Sequence, residues 1–445
     1  MEIRRYKNVV AVKMTPDEGS ASVTSHIVGF HTTQLEVAEL SEEAFAQMTS
    51  IDMSRSDIPT NLIKSESEAQ DQIQNWNQEN DFQGRSGNIS FGIRSVTINV
   101  TQVCNLKCTY CAAGGDGTYG DPVAKISVEK TLPQLKFFID QLKDGQKFTI
   151  SFVGGEPLLY PEGIKLIYDY VVNLQKTKNF IPVFSLITNA TVITDTVRDL
   201  LATMKLHITV SLDGPATIND QARPSKANNG KSTELTLSGI QQLHKIKSQL
   251  GSLGISAVIS ENNLDVVSCY QFFKSLNPDW MEFNFNYLGQ NQTINQKYIQ
   301  QMAAVARLAY QENGEAGLRQ IKQFDHYFKL LDDQQRVQNH CGAGKSYLMI
   351  DAKNQLYTCP WVVGEAAEIV GIGSQLNATS LEKYQKPLIE LNNCQTCWAK
   401  YLCGGGCMYI HRAHTGDKHK KDNLFCYRTR SLISLSLVYY KMCRE

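Results

Sequence analysis

Cys104, Cys108 and Cys111 have the spacing Cys-x-x-x-Cys-x-x-Cys. They follow residues 96–103, where apolar and polar side chains alternate as in a β-strand. Three thiolates this close together can hold one iron–sulfur cluster and leave its fourth iron open. A zinc site or three unrelated buried thiols is the alternative interpretation, but zinc sites normally combine two cysteine pairs. The triplet therefore predicts an iron–sulfur cluster with one open position.

By its spacing and flanking residues, the triplet resembles the cluster motif of the radical SAM superfamily. The resemblance implies that the open iron chelates the amino and carboxylate groups of S-adenosylmethionine. An electron passed through the cluster would then release a 5'-deoxyadenosyl radical. Tyr110, just before the third cysteine, matches an aromatic residue that packs near the adenine. The expected chemistry is hydrogen-atom abstraction.

Gly154-Gly155-Glu156 follows a second strand-like run. Two glycines allow a ligand to approach the backbone closely, and a carboxylate can accept a hydrogen bond from an ammonium group. In the radical SAM family this motif contacts the methionine amino group, so the resemblance gives that role to Glu156. An ordinary turn is the alternative.

Polar residues also stand near the ends of the third and fourth strand-like runs. Ser211 resembles the ribose-contacting serine of the family. Asp213 and Arg223 match its Ser-Leu-Asp-Gly-Pro motif and the arginine that follows, and Arg223 is expected to pair with the cofactor carboxylate. Turn and capping chemistry is the alternative for each. The expected cofactor-binding residues are Tyr110, Gly154, Gly155, Glu156, Ser185, Thr188, Asn189, Ser211, Asp213 and Arg223.

A second group of cysteines lies in the last quarter of the chain. Its spacing resembles the seven-cysteine signature of the SPASM extension of radical SAM enzymes, which implies two auxiliary [4Fe-4S] clusters and three clusters in all. A zinc site built from two close pairs is the alternative, but it leaves three cysteines without a role. The resemblance assigns Cys394, Cys397, Cys403 and Cys426 to one cluster, and Cys341, Cys359 and Cys407 to the other.

The second auxiliary set has only three cysteines. Either one iron is open to substrate, which we favour, or another residue completes the set, with Cys269, Cys443 and His340 as candidates. Asn354 stands where the family usually has glycine, and asparagine tolerates the same left-handed conformation. The three histidines that follow the cysteine group are expected to be solvated: His411, His414 and His419.

The composition excludes several classes of partner. Lys plus Arg equals Asp plus Glu at 44 each, so no net charge favours nucleic acid or an anionic membrane. We expect a cytoplasmic protein, because no apolar signal segment opens the sequence and no run approaches the roughly 18 apolar residues of a membrane span. In a reducing compartment, 12 clustered cysteines indicate metal ligation rather than disulfides.

The first 90 residues predict a small separate domain. Two strand-like runs are joined by a turn, Ser41 can cap a helix, and a capping box precedes a second helical run. This order resembles the winged-helix-like recognition domain of enzymes that mature ribosomally made peptides, and a purely structural extension is the alternative. The predicted segments are strands 8–13 and 21–30, turn 15–19, helix 42–48, capping box 65–68, helix 69–76 and linker 80–88.

From about residue 94 to 314, strand-like and helical patterns alternate. Six β/α repeats imply parallel strands with right-handed crossovers, and six rather than eight imply an open barrel. Active sites of such folds lie at the carboxyl ends of the strands, where the cysteine triplet begins. Expected strands are 95–101, 147–153, 182–188, 206–212, 254–260 and 280–287, and expected helices include 132–142, 164–174, 235–246 and a long stretch at 293–333.

The expected fold class is α/β. A partial (β/α)6 radical SAM barrel at 91–314 lies between the recognition domain at 1–90 and a C-terminal region at 315–445. The C-terminal region contains bridging helices and the iron–sulfur SPASM domain.

SPASM-containing radical SAM enzymes mostly act on peptides or proteins. The leading hypothesis is a maturase that installs an intrapeptide crosslink, by a carbon–carbon bond as in streptide-type cyclases or, second, by a thioether. Its partners would be a precursor peptide, whose leader adds a strand to the N-terminal domain, and a flavodoxin- or ferredoxin-type electron donor. Alternatives are a peptide epimerase, a peptide-binding chaperone or sensor without enzymatic activity, and a formylglycine-forming sulfatase maturase. The last class has an acidic residue where this chain has Pro360.

Overall fold

The computed structural model divides the chain into two compact units, each built from separate stretches of sequence. The first unit comprises Met1–Asn88, Gln290–Cys341 and Lys386–Glu445, and the second Ile89–Gly289 and Gly342–Gln385. The predicted boundaries of the three domains stay predictions. The residues that the structure describes are 1–14, 26–53, 73, 76–77, 81–87, 92–111, 124–286 and 291–445.

The first unit opens with a five-stranded antiparallel sheet in the order β4-β3-β2-β1-β5. We expected only two strands, so this expectation was wrong in number. In β1 and the edge strand β4 charged residues hide the apolar alternation, and β5 has only two residues, too few to show a pattern. The strands are β1 (Glu2–Tyr6), β2 (Val9–Met14), β3 (His26–His31), β4 (Glu36–Glu39) and β5 (Thr49–Ser50).

One apolar cluster holds this sheet against helical residues. Helix α1 (Glu42–Gln47) begins as expected at Ser41, whose hydroxyl accepts the amide hydrogen of Ala44 at 3.1 Å. Phe45 of this helix and the helical residue Ile73 are buried together with side chains of β2 and β3. The predicted turn 15–19 and capping box 65–68 lie outside the described residues, as does most of the predicted helix 69–76.

The segment expected to be a linker contains a strand. In the first unit, β6 (Arg85–Gly87) pairs in parallel with β13 (Gln335–Val337). The expectation failed because the pairing partner lies far along the chain, where local sequence gives no signal.

Six parallel strands form the second unit's sheet, with neighbours in chain order. All six were expected, within two residues at each end. The mixed α/β class and the six-stranded parallel core are therefore confirmed. The strands are β7 (Ser95–Asn99), β8 (Gln146–Val153), β9 (Phe180–Thr188), β10 (Leu206–Ser211), β11 (Ser252–Ile259) and β12 (Trp280–Phe285).

Helices connect these strands, and their apolar faces are buried. Parallel strands require such crossovers because consecutive strands must run in the same direction. The helices are α2 (Val128–Asp140), α3 (Pro161–Leu174), α4 (Asp195–Ala202), α5 (Ala216–Ala222), α6 (Thr233–Lys245) and α7 (Val266–Ser275). Short 3-10 turns lie at Pro157–Leu159, Asn228–Gly230, Lys247–Gln249 and Glu261–Asn263.

The same sheet continues beyond the predicted strands to ten strands. The first added strand runs parallel to β7, and the other three are antiparallel to their neighbours. The additions are β14 (Tyr347–Ile350), β15 (Gln355–Tyr357), β16 (Ile369–Ile372) and β17 (Gln375–Leu376), with 3-10 turns at Pro360–Val362 and Ala366–Glu368 and α10 at Ala378–Glu382.

The remaining helices belong to the first unit. The long helical stretch expected at 293–333 is two helices, and the first is interrupted at Asn313 and Gly314, where Gly314 has a φ of 53°. No helix in the described part of the chain is both long enough and apolar enough to cross a membrane. The helices are α8 (Gln292–Arg319), α9 (Lys322–Asp332), α11 (Leu388–Leu391), α12 (Lys400–Cys403), α13 (Met408–Thr415) and α14 (Asn423–Met442).

The turn between β14 and β15 is fixed by Asn354, which has the expected left-handed conformation with a φ of 61°. Its side-chain nitrogen donates to the Thr131 hydroxyl at 2.8 Å and to the side-chain oxygen of Gln134 at 3.1 Å. The side-chain nitrogen of Gln134 in turn donates to the backbone carbonyl oxygens of Asn354 and Gly373. Asn354, which stands where the family usually has glycine, thus holds α2 against the turn.

We predict that Asn354→Ala lowers the free energy of unfolding by roughly 2 to 4 kcal/mol, because it combines left-handed strain with lost buried hydrogen bonds. Asn354→Gly keeps the backbone conformation and should lose less. Chemical denaturation of the metal-free protein compares the two. An alanine variant as stable as the glycine variant would contradict this interpretation.

Candidate functional site

The cysteine triplet lies on a loop directly after β7. Cys104 and Cys108 are half-buried and Cys111 is exposed. The loop is held by backbone hydrogen bonds from Lys107 to Pro224 and from Thr109 to Ala222. Burial raises the pKa of Cys104 to about 11, so cluster binding must displace a proton from this thiol. Three thiols on one loop at the carboxyl edge of a parallel sheet fit the ligand set predicted from sequence.

The two glycines after β8 pack against the backbone of this loop. A Cβ at Gly154 would lie 2.6 Å from the Thr101 carbonyl oxygen, and one at Gly155 would lie 2.3 Å from that of Val103. The amides of Gly155 and Glu156 donate to these same two carbonyls, each at 2.8 Å. Only glycine fits here, because a side chain would collide with the backbone that carries Cys104. The motif thus positions the cysteine loop, a role that sequence reasoning did not assign.

Glu156 ties the end of β8 to the end of β9. Its buried carboxylate accepts hydrogen bonds from the Leu158 amide at 3.0 Å, the Thr188 hydroxyl at 2.7 Å and the Asn189 amide at 2.7 Å. Burial raises the pKa of Glu156, and these hydrogen bonds oppose that rise. The carboxylate therefore has protein donors of its own, and its contact with a methionine amino group stays a prediction.

Asn189 connects β9 to the cysteine loop. Its side-chain nitrogen donates to the Asn105 side-chain oxygen at 2.9 Å and lies 3.9 Å from the Cys104 sulfur. The side-chain nitrogen of Asn105 donates to the Thr191 hydroxyl at 2.7 Å. Sequence reasoning missed Asn105, although a polar residue between two motif cysteines was an available signal.

Tyr110, Asp213 and Arg223 form one hydrogen-bonded group. The Tyr110 hydroxyl donates to an Asp213 carboxylate oxygen at 2.6 Å and accepts from Arg223 at 2.6 Å. The Asp213 carboxylate also accepts the Val258 amide hydrogen at 3.0 Å. Burial raises the pKa of Asp213, and Arg223, 3.8 Å away, opposes this rise. The group fixes the third-cysteine side of the loop to the end of β10. The expected contacts of Tyr110 with adenine and of Arg223 with a carboxylate stay predictions.

The two predicted serines lie apart from these contacts. Ser185 is inside β9 rather than at its end, and its hydroxyl donates to that of Ser151 on β8 at 2.7 Å. Ser211 is the last residue of β10, is half-buried and pairs in register with Ser256. Ser211 is therefore placed at the edge that carries the cysteine loop, whereas Ser185 has a partner within the sheet.

A second candidate site lies in the first unit, where four cysteines line a cavity that is partly open to solvent. They are the four that the resemblance assigns to one auxiliary cluster: Cys394, Cys397, Cys403 and Cys426. Within the described residues, no three His, Cys, Asp or Glu side chains are gathered closely enough to hold a single metal ion. A cavity bounded by four thiols is the donor set that a cubane cluster requires.

Different elements supply these cysteines. Cys394 and Cys397 lie on the loop after α11, Cys403 ends α12, and Cys426 is in the first turn of α14. Gly404, Gly405 and Gly406 all have positive φ, between 69° and 95°. Added Cβ atoms there would lie 2.6 to 2.9 Å from neighbouring protein atoms. The three glycines therefore let the chain turn sharply after α12, so that Gly405 and Gly406 line the cavity.

The three remaining cysteines do not all belong to the same unit. Cys359 of the second unit is half-buried before the turn at Pro360–Val362, while in the first unit Cys341 is exposed and Cys407 precedes α13. A shared cluster for these three stays a prediction. Three residues were considered for the fourth position of that cluster. Cys269 is fully buried, and Cys443 follows α14. The ring nitrogen Nδ1 of His340 lies 3.1 Å from the Cys403 carbonyl oxygen.

His411 is not solvated, contrary to the expectation. It is fully buried, Nδ1 accepts the Asp422 amide hydrogen at 3.2 Å, and Nε2 lies 3.4 Å from the Gly405 carbonyl oxygen. Burial lowers the pKa of His411 to about 4, so the ring is neutral and donates through Nε2. The surrounding lysines suggested an exposed segment, but this histidine supports the backbone of the glycine run.

Comparison with known proteins agrees with the fold and the cysteine triplet. Residues 98–273 match the family model of the radical SAM superfamily. Over 327 residues the chain is 26% identical to the serine-type anaerobic sulfatase-maturating enzyme of Klebsiella aerogenes, covering 68% of this chain and 76% of that protein. It is also 26% identical over 326 residues to the mycofactocin maturase MftC of Mycobacterium tuberculosis, covering 70% and 78%. A shorter stretch of 174 residues is 31% identical to an uncharacterized protein of Methanocaldococcus jannaschii, spanning 39% of this chain and 55% of that protein.

Two solved structures share the fold. The structure of anSMEcpe with bound AdoMet and Cp18Cys peptide has a TM-score of 0.64 at 18% identity, covering 79% of this chain and 98% of that one. Streptococcus suis SuiB bound to S-adenosylmethionine has a TM-score of 0.53 at 13% identity, covering 90% and 96%. The chain therefore contains a radical SAM domain, and the resemblance seen in its sequence is confirmed. Proteins of this superfamily bind S-adenosylmethionine and a [4Fe-4S] cluster.

We predict that Gly155→Ala weakens S-adenosylmethionine binding at least tenfold, because its Cβ would displace the Val103 backbone and misplace Cys104. Equilibrium dialysis of the reconstituted protein measures the affinity. Gly145→Ala is the control, since its Cβ would meet nothing within 4 Å and its positive φ costs only about 1 kcal/mol. Equal affinity in both variants would show that the close backbone packing is not needed.

Proposed function

We propose that the chain matures a ribosomally made precursor peptide by installing an intrapeptide crosslink, carbon–carbon by first preference and thioether by second. The observation that carries the proposal is the four-cysteine cavity, which gives the chain a second cluster-binding set besides the triplet. Radical SAM chemistry at the triplet removes a hydrogen atom from the peptide. Forming a crosslink also requires the removal of one proton and one electron from the peptide.

Closing a crosslink removes two hydrogen atoms from the peptide in total. One leaves as an atom to the 5'-deoxyadenosyl radical, giving 5'-deoxyadenosine, and the other leaves as a proton and an electron. A chain that makes such a link therefore needs a place for one electron away from the site of S-adenosylmethionine cleavage. Four thiols around a cavity give it a place to hold a one-electron carrier.

We assign the cofactor contacts to the residues gathered around the cysteine loop. Cys104, Cys108 and Cys111 would hold the cluster that binds S-adenosylmethionine and supplies its reductive cleavage. The backbone of Gly154 and Gly155 lies beside the loop, and Asn189 and Arg223 orient the first and third cysteines through Asn105 and Tyr110. Ser211, at the end of β10, would contact the ribose.

The N-terminal sheet supplies the proposed binding site for the leader. In the sheet as described, β4 is the last strand and pairs on one side with β3. Trp76 donates a hydrogen bond to Glu36 of this strand at 2.8 Å, so a helical residue lies beside the sheet edge. An extended peptide can add to such an edge through backbone hydrogen bonds, with side-chain pockets giving specificity. A structure of SuiB with bound precursor peptide SuiA has a TM-score of 0.50 to this chain.

A formylglycine-forming oxidase is the second candidate, favoured by the likeness to sulfatase-maturating enzymes. The residue after Cys359 weighs against it. Pro360 begins a short turn there and cannot act as an acid or a base, whereas sulfatase maturases carry an acidic residue. The proposed electron donor in either case is a flavodoxin- or ferredoxin-type protein.

Tandem mass spectrometry tests the function. Each short peptide encoded beside the gene is co-expressed anaerobically with the enzyme, and the variant with Cys104, Cys108 and Cys111 changed to Ala is the control. We expect the loss of two hydrogen atoms, localised to a segment that resists fragmentation, only with the intact enzyme. Unchanged mass for every peptide would overturn the crosslink, and a D-residue in such a peptide would identify an epimerase. Conversion of a serine or cysteine of a sulfatase would identify the second candidate.

A further inference from the structure

Cationic side chains surround the loop that carries Cys394 and Cys397. Lys421 donates to the Asn393 carbonyl at 2.8 Å, Lys400 to the Gln395 carbonyl at 2.9 Å, and Arg5 to the Thr396 carbonyl at 2.8 Å. The three cations come from β1, from α12 and from the segment before α14. One short loop is therefore bound by three positive charges that come from three different segments of the chain.

Arg430 adds a fourth positive charge, from within α14. It is only 2% exposed, and its Nε donates to the carbonyl of Cys426 at 3.2 Å. We call Arg5, Lys400, Lys421 and Arg430 the cationic collar. Three of its members, Lys400, Lys421 and Arg430, also line the four-cysteine cavity.

The cavity wall, as far as the chain is described, contains no carboxylate. Asp422, next to Lys421, uses its carboxylate to cap α14 by accepting the Phe425 amide hydrogen at 2.7 Å. In the described cavity wall, the thiols therefore have positively charged neighbours and no carboxylate.

The cysteine triplet has a different electrostatic environment. Arg223, beside this loop, is bonded to Tyr110 and lies 3.8 Å from Asp213. Two buried carboxylates, those of Glu156 and Asp213, accept hydrogen bonds from Asn189 and Tyr110 beside this loop. Carboxylates therefore accompany the first cysteine set, whereas the second is surrounded by cations.

This difference has a direct electrochemical consequence. Reducing an iron–sulfur cluster adds one negative charge, so nearby cations stabilise the reduced form more than the oxidised form. Partial burial strengthens the effect because water screens the charges less. Cations around a cluster therefore raise its reduction potential, and carboxylates lower it.

We propose that the cationic collar raises the reduction potential of a cluster held by Cys394, Cys397, Cys403 and Cys426, and so makes this site the electron acceptor of the chain. The inference rests on the proposed function in assigning a cluster to these four cysteines. It goes further in naming the residues that set its potential. Arg5 makes the N-terminal sheet a contributor to that potential.

A potentiometric titration followed by electron paramagnetic resonance tests the collar. The parent protein is the full chain with Cys104, Cys108 and Cys111 changed to Ala, so that the first cluster gives no signal. The signal that disappears when Cys397→Ser is added to this parent is assigned to the collar site. Lys400→Gln and Lys421→Gln are compared singly and together. Lys420→Gln is the matched control, because Lys420 is exposed and does not line the cavity.

At a solution potential equal to the midpoint of the parent protein, we expect the double variant to increase the ratio of oxidised to reduced cluster about tenfold, which corresponds to about 59 mV for a one-electron couple. Each single variant should change it in the same direction by less, and Lys420→Gln and the charge-retaining Lys421→Arg should leave it unchanged. If the double variant has the same signal with the same midpoint potential, the collar does not set the potential, and the assignment of a cluster to the four cysteines stands. If no signal depends on Cys397, the cluster assignment fails and the collar fails with it.

Discussion

The contact between two glycines and the backbone of the cysteine loop is the constraint on which the radical SAM site depends. Gly154 and Gly155 approach Thr101 and Val103 so closely that no side chain fits between them. Two amide hydrogen bonds then join the end of β8 to the segment that begins the cysteine loop. Because Glu156 follows at once and binds the end of β9, the geometry of one turn fixes three neighbouring strand ends. The positions of Asn189 and Cys104 follow from this turn.

The first unit places its N-terminal sheet next to the second cysteine site. Arg5 of β1 is buried and donates to the loop between Cys394 and Cys397, and Phe30 of β3 packs edge-to-face against Trp398 at a ring distance of 6.4 Å. The sheet proposed to bind the leader therefore shares side-chain contacts with the loop proposed to hold a cluster. The proposed leader binding and the proposed electron transfer would therefore both depend on this packed region.

Local patterns were enough to predict the parallel core of the second unit. The six strands, the Ser41 cap and the left-handed Asn354 each depend on a few adjacent residues, and all are present. The cysteine triplet was recognisable because its chemistry is compressed into eight consecutive positions. Sequence motifs also identified most of the residues now found around the cysteine loop.

Contacts between distant segments could not be predicted in this way. The pairing of β6 with β13, the four strands added beside β7, and the hydrogen bond from Arg5 to Thr396 join residues far apart in the chain. Arg5 looked like an ordinary charged residue because nothing near it in sequence shows that it is buried. For the same reason His411, in a lysine-rich stretch, was wrongly expected to be solvated.

The central claim is that the cysteine loop supports reductive cleavage of S-adenosylmethionine. The direct measurement is the amount of 5'-deoxyadenosine formed when the anaerobically reconstituted protein is reduced in the presence of S-adenosylmethionine. We expect the nucleoside with the intact protein and none with Cys108→Ala. A protein that holds its iron and binds S-adenosylmethionine, yet forms no 5'-deoxyadenosine, would contradict the claim and favour a peptide-binding sensor.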